Sequence, residues 1–329
     1  MPPLTWQPFT DAYGRTITYA RIALTDRCNL RCTYCMPEAG PPFIPRDKLL
    51  SYEQWYRLLA ILTRHGVSKI RVTGGEPFVR KGSLDFITSL KSRFPEIRAL
   101  HITSNGVGLA PHLNALKENG VDGLNISLDS LNPGRFYKIT RRDPFHVVYD
   151  TIEKALQTGF RLKINMVVMR GVNDDELEAF CLLARNKPLD VRFIEQMPFN
   201  GHGDNATFLS ARVMEERLRR FMPDMHAAPG SATARMFTVP GFQGRVGIIA
   251  AYSRTFCGQC NRIRITPVGG VQTCLYAPSA LNIRDMLEHA DDTEVVKALR
   301  AIIGAKARDG FEAEEANRFP LASMAQIGG

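Results

Sequence analysis

The chain has 329 residues, 44% hydrophobic and 23% charged, and its 42 Lys and Arg outnumber 33 Asp and Glu for a formal charge of +9. That balance excludes a disordered chain, and at roughly 150 residues per domain it predicts about two domains. No tract of about 18 apolar residues offers a membrane span, and residues 1–6 lack the pattern of a secretory signal or transit peptide, so the expectation is a soluble, cytoplasmic protein.

From residue 17 to residue 197 the sequence repeats a short β-branched run, a polar or Gly-rich loop and an amphipathic stretch, which is βα alternation. Strands are predicted at 17–24, 69–73, 98–103, 123–128, 162–168 and 191–194. Between them, Ser51 and Gln54 form a capping box, Gly66 stops that helix, and Asn173-Asp174-Asp175-Glu176 puts acid at another helix start. A helix after every strand, with right-handed crossovers, gives a doubly wound sheet or a barrel, and six units suit a partial (β/α)6 TIM-like barrel. The unusual residues fall at or just after the C-terminal ends of these strands, where α/β folds place their chemistry.

After Met197 the character changes, through a loop at 198–205 and a basic helix at 210–221. A boundary near 223–230 divides a barrel domain, 1–225, from a C-terminal domain, 226–329. There, short antiparallel strands are predicted at 236–239, 245–251, 261–266 and 271–275, with Pro267-Val268-Gly269-Gly270 as a hairpin turn, and helices at 283–289 and 292–306. This reads as a small β-rich domain.

Seven cysteines are an odd number, and six of them sit in two tight groups, which is poor material for a disulfide framework. Cys28, Cys32 and Cys35 occupy the loop after the first strand. Structural zinc wants four ligands, and the nearest His is His65; three thiolates suit a 4Fe-4S cube with one iron left open. Cys181, on a predicted helix, reads as a buried small hydrophobe. The C-terminal group, Cys257, Cys260 and Cys274, again supplies three thiolates; half of a zinc ribbon is the bland alternative, and a second three-Cys cluster the favoured one.

The spacing of the first group, with Tyr34 just before the third Cys, resembles the radical S-adenosylmethionine (SAM) enzymes. In that family the open iron chelates SAM, and an electron from the cluster cleaves it to methionine and a 5′-deoxyadenosyl radical. The resemblance implies SAM contacts for Tyr34, for Gly75 in Gly74-Gly75-Glu76-Pro77, for Ser127 and for Met197.

Strand alternation puts Arg262 and Arg264, immediately after Cys260, on one face beside the second group. Arg21, Arg71, Lys163 and Arg192 lie on other predicted strands, on the barrel side. The whole pattern, from Arg21 through the first cysteine loop and GGEP to Cys257-Gly258-Gln259-Cys260-Asn261-Arg262-Ile263-Arg264 and the terminal Gly328-Gly329, is similar to the GTP 3′,8-cyclase family of molybdenum cofactor biosynthesis. The resemblance implies two 4Fe-4S clusters and SAM as cofactors and GTP as substrate, its guanine held at the second cluster's open iron. GTP contacts are implied for Arg21, Arg71, Thr103, Lys163, Arg262, Ile263 and Arg264, with Arg192 a further candidate on the same side, and catalytic roles for Arg262, Arg264, Gly328 and Gly329. It further implies a homodimer, an unspecified electron donor and hand-over of product to cyclic pyranopterin monophosphate synthase, with no nucleic-acid or membrane partner. The excess charge then serves a triphosphate.

Two residues depart from the family pattern: Ser104 where a second Thr is common, and Ala23 where Ser is common; neither is expected to touch a ligand. Two other classes compete. A peptide-modifying radical SAM maturase would leave Arg262 and Arg264 without a purpose, and a basic zinc protein binding DNA or RNA would use both cysteine groups structurally. The Gly201-x-Gly203-x-x-Ala206 run imitates a dinucleotide fingerprint but does not open a helix directly after a strand, and no P-loop lysine motif is present.

Overall fold

A computed structural model of the chain describes residues 7–197, 205–229, 233–317 and 324–327. Six strands, β1 (Tyr19–Ala23), β2 (Lys69–Thr73), β3 (Ala99–Ser104), β4 (Gly123–Ser127), β5 (Arg161–Val168) and β6 (Leu189–Glu195), pair in parallel in chain order. The connections carry α1 (Tyr52–Arg64), α2 (Ser83–Arg93), α3 (Leu113–Glu118), α4 (Pro133–Thr140), α5 (Phe145–Gln157) and α6 (Leu177–Asn186), and α7 (Ala211–Phe221) follows β6. The sheet does not close on itself, so the frame is the expected partial barrel.

Local chemistry sets the helix ends. Ser51 Oγ accepts from the Gln54 amide and Gln54 Oε1 from the Ser51 amide, closing the predicted box, and Gly66 leaves α1 at φ 92°, where a Cβ is disfavoured.

The strands past β6 overturn one expectation. They are β7 (His226–Ala228), β8 (Arg235–Thr238), β9 (Arg245–Ile249), β10 (Arg262–Ile265), β11 (Gly270–Gln272) and β12 (Leu281–Asn282). They do not build a sheet of their own: β9 lies parallel to β6 and β10 parallel to β1, so the C-terminal strands extend both edges of the barrel sheet. Among the named strands of the described residues, antiparallel pairing joins β7 with β8, β8 with β9, β10 with β11 and β11 with β12. Edge strands present unpaired backbone groups, and here the chain's own C-terminal half covers both barrel edges. The strand predicted at 271–275 stops at Gln272, leaving Cys274 in the turn beyond it. Four helices follow among the described residues: α8 (Arg284–His289), α9 (Asp292–Gly304), α10 (Gly310–Glu315) and α11 (Met324–Ile327).

Parallel strands packed on both faces read as continuous apolar runs. These strands instead alternate, and the alternation places the site. Ala20, Ile22, Ile70, Val72, Leu100, Ile102, Leu124, Ile126, Leu162, Ile164, Val191, Phe193, Ile263 and Ile265 point to the helix layer and form its core, with Cys181 fully buried among them as expected. The opposite face is polar. Glu195, at the end of β6 and fully buried, bolts the halves together: its carboxylate accepts from the amides of Ala211, Tyr252 and Ser253 and from Ser253 Oγ, at 2.6–2.9 Å.

Candidate active site

The polar face of the sheet lines a cavity of about 730 Å³. Both cysteine groups open onto it, with Cys28, Cys32 and Cys35 on one side and Cys257, Cys260 and Cys274 on the other. All six are free thiols.

The first group sits on a loop fastened by main chain. The amides of Arg31 and Thr33 donate to the carbonyls of Thr140 and Ile139 at the end of α4, and the amides of Gly75 and Glu76 donate to Thr25 and Arg27. Only glycine permits that approach: a Cβ on Gly75 would lie 2.4 Å from the Arg27 carbonyl oxygen and 2.6 Å from that of Asp26. Glu76 is fully buried, and desolvation raises its carboxyl to about 7 despite hydrogen bonds from the amides of Asn105 and Phe78 and from Ser104 Oγ. Ser104, the expected departure from the family pattern, thus ties the GGEP loop to the loop after β3, and its hydroxyl also accepts from the Gly106 amide.

Asn105 Nδ2 approaches Cys28 Sγ at 3.6 Å. Burial holds Cys28 above the usual thiol range and Cys32 well above it, the state of thiols shielded from water. Tyr34 donates to Asp129 at 2.8 Å, and burial lifts the Asp129 carboxyl to about 6.

The second group is assembled from separate segments. Cys257 and Cys260 flank a single 3₁₀ turn, and Cys274 follows β11. Burial raises the Cys260 thiol, but Lys306 and Arg262 beside it bring it down to about 7.

Between the two groups lies a cationic wall. In register, Arg264 on β10 sits beside Arg21 on β1, which sits beside Arg71 on β2; one step down the strands, Arg262, Tyr19 and Lys69 are aligned. Lys163 and Arg192 continue the lining on β5 and β6. In all, nine Lys and Arg against three Asp and Glu line the cavity. Of these, Arg245 is held bidentately by Asp190, and Arg254 pairs with Glu314 through one Nη2–Oε2 contact at 2.6 Å. Like charges about 4.8 Å apart on neighbouring strands repel by about 3 kcal/mol at an effective dielectric near 20.

The titrating groups register that field. Burial, with Arg264 next, holds Arg21 well below the usual arginine range; burial and Arg262 bring Arg264 to about 10. Burial and Arg192 bring Lys163 to about 8, and burial with Arg71 and Lys163 holds His101 neutral down to about 3. Burial alone would raise the Tyr19 phenol, but Arg71, Arg21, Arg262 and Lys69 together pull it to about 7. Its oxygen accepts from Arg71 Nε at 2.7 Å.

The buried Arg192 Nε, Asn125 Oδ1, Asn165 Oδ1 and His101 Nδ1 have no hydrogen-bond partner among the described residues. Buried polar atoms without partners are rare, and their gathering around one cavity points to a polar ligand.

Of the residues singled out from sequence, Tyr34, Gly75, Ser127 and Met197 line this cavity, as do Arg21, Arg71, Thr103, Lys163, Arg192, Arg262 and Arg264. Ile263 is the exception: its side chain points away into the helix-side core, fully buried, because alternation along β10 sends it opposite to its arginine neighbours. Gly328 and Gly329 lie outside the described residues, as does most of the predicted loop at 198–205; Met324 and Ala325, just before the terminal glycines, line the cavity. Tyr19, Lys69, His101, Asn125 and Asn165 were missed, although each lies two residues from one that was named, and period-two alternation would have found them.

Among the described residues no three His, Cys, Asp or Glu side chains are gathered as ligands of a single ion. What fits iron-sulfur clusters is the donor chemistry of two shielded thiol triads, together with the glycine cradle and the Asn105 amide at the first.

The model of the Radical SAM superfamily matches residues 22–184, and that of Molybdenum Cofactor Synthesis C matches 189–311. The GTP 3′,8-cyclase of Heliobacterium modesticaldum is 39% identical over 329 residues, covering 97% of this chain and 99% of that protein. Human Molybdenum cofactor biosynthesis protein 1 is 42% identical over 96% of this chain but only 49% of its own length. The chain thus spans about half the length of the human, bovine and mouse relatives. Among solved structures, Streptococcus suis SuiB bound to S-adenosylmethionine superposes with a TM-score of 0.62 at 13% identity, over 87% of this chain and 68% of that one, a likeness of fold alone. No helix of the described residues is long and apolar enough to cross a membrane.

Proposed function

Since this chain belongs to the GTP 3′,8-cyclase family of the radical SAM superfamily, we propose that it is a lyase converting GTP to (8S)-3′,8-cyclo-7,8-dihydroguanosine 5′-triphosphate, with methionine and 5′-deoxyadenosine as co-products. The observation that carries this reading is the row Arg264, Arg21, Arg71, three arginines in lateral register between two thiol triads. Such a row is complementary to a polyanion, and charge-assisted hydrogen bonds of about 1.5–3 kcal/mol each reward a triphosphate there.

Cys28, Cys32 and Cys35 hold a 4Fe-4S cluster in this reading, and Cys257, Cys260 and Cys274 a second. When bound, the first cluster and SAM supply the hydrogen-abstracting radical chemistry. The chain's own residues position and enclose. Gly75 lets its loop close on the cluster loop, Ser127 and Met197 offer contacts to SAM, and Tyr34, braced by Asp129, faces the same space. Arg21, Arg71, Lys163, Arg192, Arg262 and Arg264 orient the triphosphate, with Thr103 supporting Arg71 through an accepted hydrogen bond at 3.2 Å. Asn125 and Asn165 bring unpaired carbonyl oxygens that suit ribose or base donors. Ile263 contributes through its main chain only. The barrel and C-terminal parts with a boundary near residue 225, a catalytic Gly328-Gly329 tail, cytoplasmic placement, a homodimer and delivery of product to cyclic pyranopterin monophosphate synthase belong to the same proposal.

The test is anaerobic. The reconstituted, reduced protein is given SAM and GTP deuterated at the ribose 3′ carbon, and the 5′-deoxyadenosine is weighed by mass spectrometry. Deuterium in that product, with a GTP isomer formed, is the expected result. Unlabelled 5′-deoxyadenosine with GTP unchanged would leave a radical SAM enzyme acting on another substrate, and zinc-loaded protein without SAM cleavage would sink both readings.

A further inference from the structure

Lys306 lies just past α9 and is only 3% exposed. Its ammonium donates to the carbonyl oxygens of Thr273 and of Arg262, the latter at 3.2 Å, and to Cys260 Sγ at 3.7 Å. These three acceptors account for all three N–H donors, and none is a carboxylate. A buried ammonium without an anionic partner is strongly disfavoured, so the sulfur is where its counter-charge must reside.

The contacts are also distributed with purpose. Cys260 is itself a thiol of the second triad, Arg262 opens the strand that follows it, and Thr273 immediately precedes Cys274. The next two residues complete the bracket: Arg15 donates to the carbonyls of Ala307, Arg308 and Cys257 at 2.6–3.1 Å. Lys306 therefore touches both cysteine-bearing segments of the second site, and Arg15 ties the two residues after it to Cys257.

We propose that Lys306 is a positioning residue whose positive charge sets the electron affinity of the second cluster, an inference that rests on the reading of Cys257, Cys260 and Cys274 as cluster ligands. One-electron reduction adds a negative charge to the cluster and requires no proton. A fixed ammonium at one ligand sulfur favours that more negative state, since net charge and hydrogen bonds to sulfur set cluster potentials.

The test uses the full chain with Cys28, Cys32 and Cys35 replaced by Ala, so that only the second cluster gives a signal. Iron and sulfide content are measured, and the cluster is titrated with dithionite under electron paramagnetic resonance. In Lys306→Gln the cluster should load fully, yet its oxidised-to-reduced ratio should rise about tenfold at the parent's midpoint, about 59 mV for a one-electron couple. Lys306→Arg should stay close to the parent. A fully loaded Lys306→Gln with an unshifted midpoint overturns the proposal, and so does failure of both variants to load, which would make the side chain's shape decisive. If the parent lacking the first triad binds no iron, the second-cluster reading itself fails.

Discussion

The two thiol triads are built on opposite plans. The first lies within eight residues, and its loop is held by main-chain hydrogen bonds to α4 and to the GGEP loop. The second is gathered from two segments and clamped by remote side chains, Arg15 from near the start of the chain and Lys306 from near its end. A site made from local backbone depends on the absence of side chains at the contact; one made by long-range clamps depends on the presence of particular charged groups. Substitutions should therefore separate the two.

The largest effect is expected from the first plan. Gly75→Ala drives a Cβ into the carbonyls of Arg27 and Asp26, backbone atoms that cannot rotate aside. Overpacking of this kind costs about 1–3 kcal/mol, and displacement of a reactive group by about 1 Å costs on the order of 100-fold in rate. Formation of 5′-deoxyadenosine should fall by at least about that factor, while iron at the second triad is retained; Mössbauer spectra of the variant would reveal which cluster survives. Equal loss of both would refute the independence of the two loops.

Next comes the clamp. Arg15 is nearly buried and pairs with the fully buried Asp11 at 2.5 Å while reaching Cys257, Ala307 and Arg308. Arg15→Ala leaves Asp11 without its cationic partner, held only by the amides of Tyr13 and residue 15, at a cost of up to about 3–5 kcal/mol, and frees the Cys257 turn. The expected outcome is selective loss of the second cluster, read as a halved iron content with SAM cleavage preserved. Retention of both clusters would show that the carbonyl contacts are incidental.

This contrast also explains what was legible in the sequence. Strand runs such as 69–73, the Ser51–Gln54 box and the 28–32–35 spacing are local signals, and each reappears in the structure where it was read. The pairing of β9 with β6 and of β10 with β1 joins segments far apart in the chain, and alternation looks the same for either strand direction, so nothing local announced a continuous sheet. Ile263 was drawn into the site by sitting between two arginines, whereas the pleat sends it the other way. Lys306 carries no motif at all, and only the fold brings it to Cys260.

The cationic wall between the triads gives a prediction in which two readouts move oppositely. Removing one guanidinium in Arg264→Ala relieves repulsion with Arg21, so the ligand-free protein should melt higher, while affinity for a non-hydrolysable GTP analogue should fall about 10- to 100-fold. Differential scanning calorimetry with and without the analogue checks both signs. A lower melting point without ligand would mean that the arginine row is already neutralised within the protein.

The smallest effect is the pH dependence of that binding, and its sign follows from the free-state values of two groups. Tyr19 titrates at about 7 and Lys163 at about 8 in the empty chamber. A bound triphosphate raises both, because its negative charge opposes a phenolate and favours an ammonium. Binding therefore takes up protons, and affinity falls as pH rises, first through about 7 as Tyr19 becomes anionic and then through about 8 as Lys163 loses its charge. Between pH 6 and pH 9 the analogue should weaken by about tenfold or more, measured by calorimetry in two buffers of different ionisation enthalpy. Tyr19→Phe should remove the lower part of the slope and Lys163→Met the upper part. A flat profile in the unsubstituted protein would mean that the chamber's cations do not act on the phosphate chain, and the site would then be a wall facing some neutral part of the substrate.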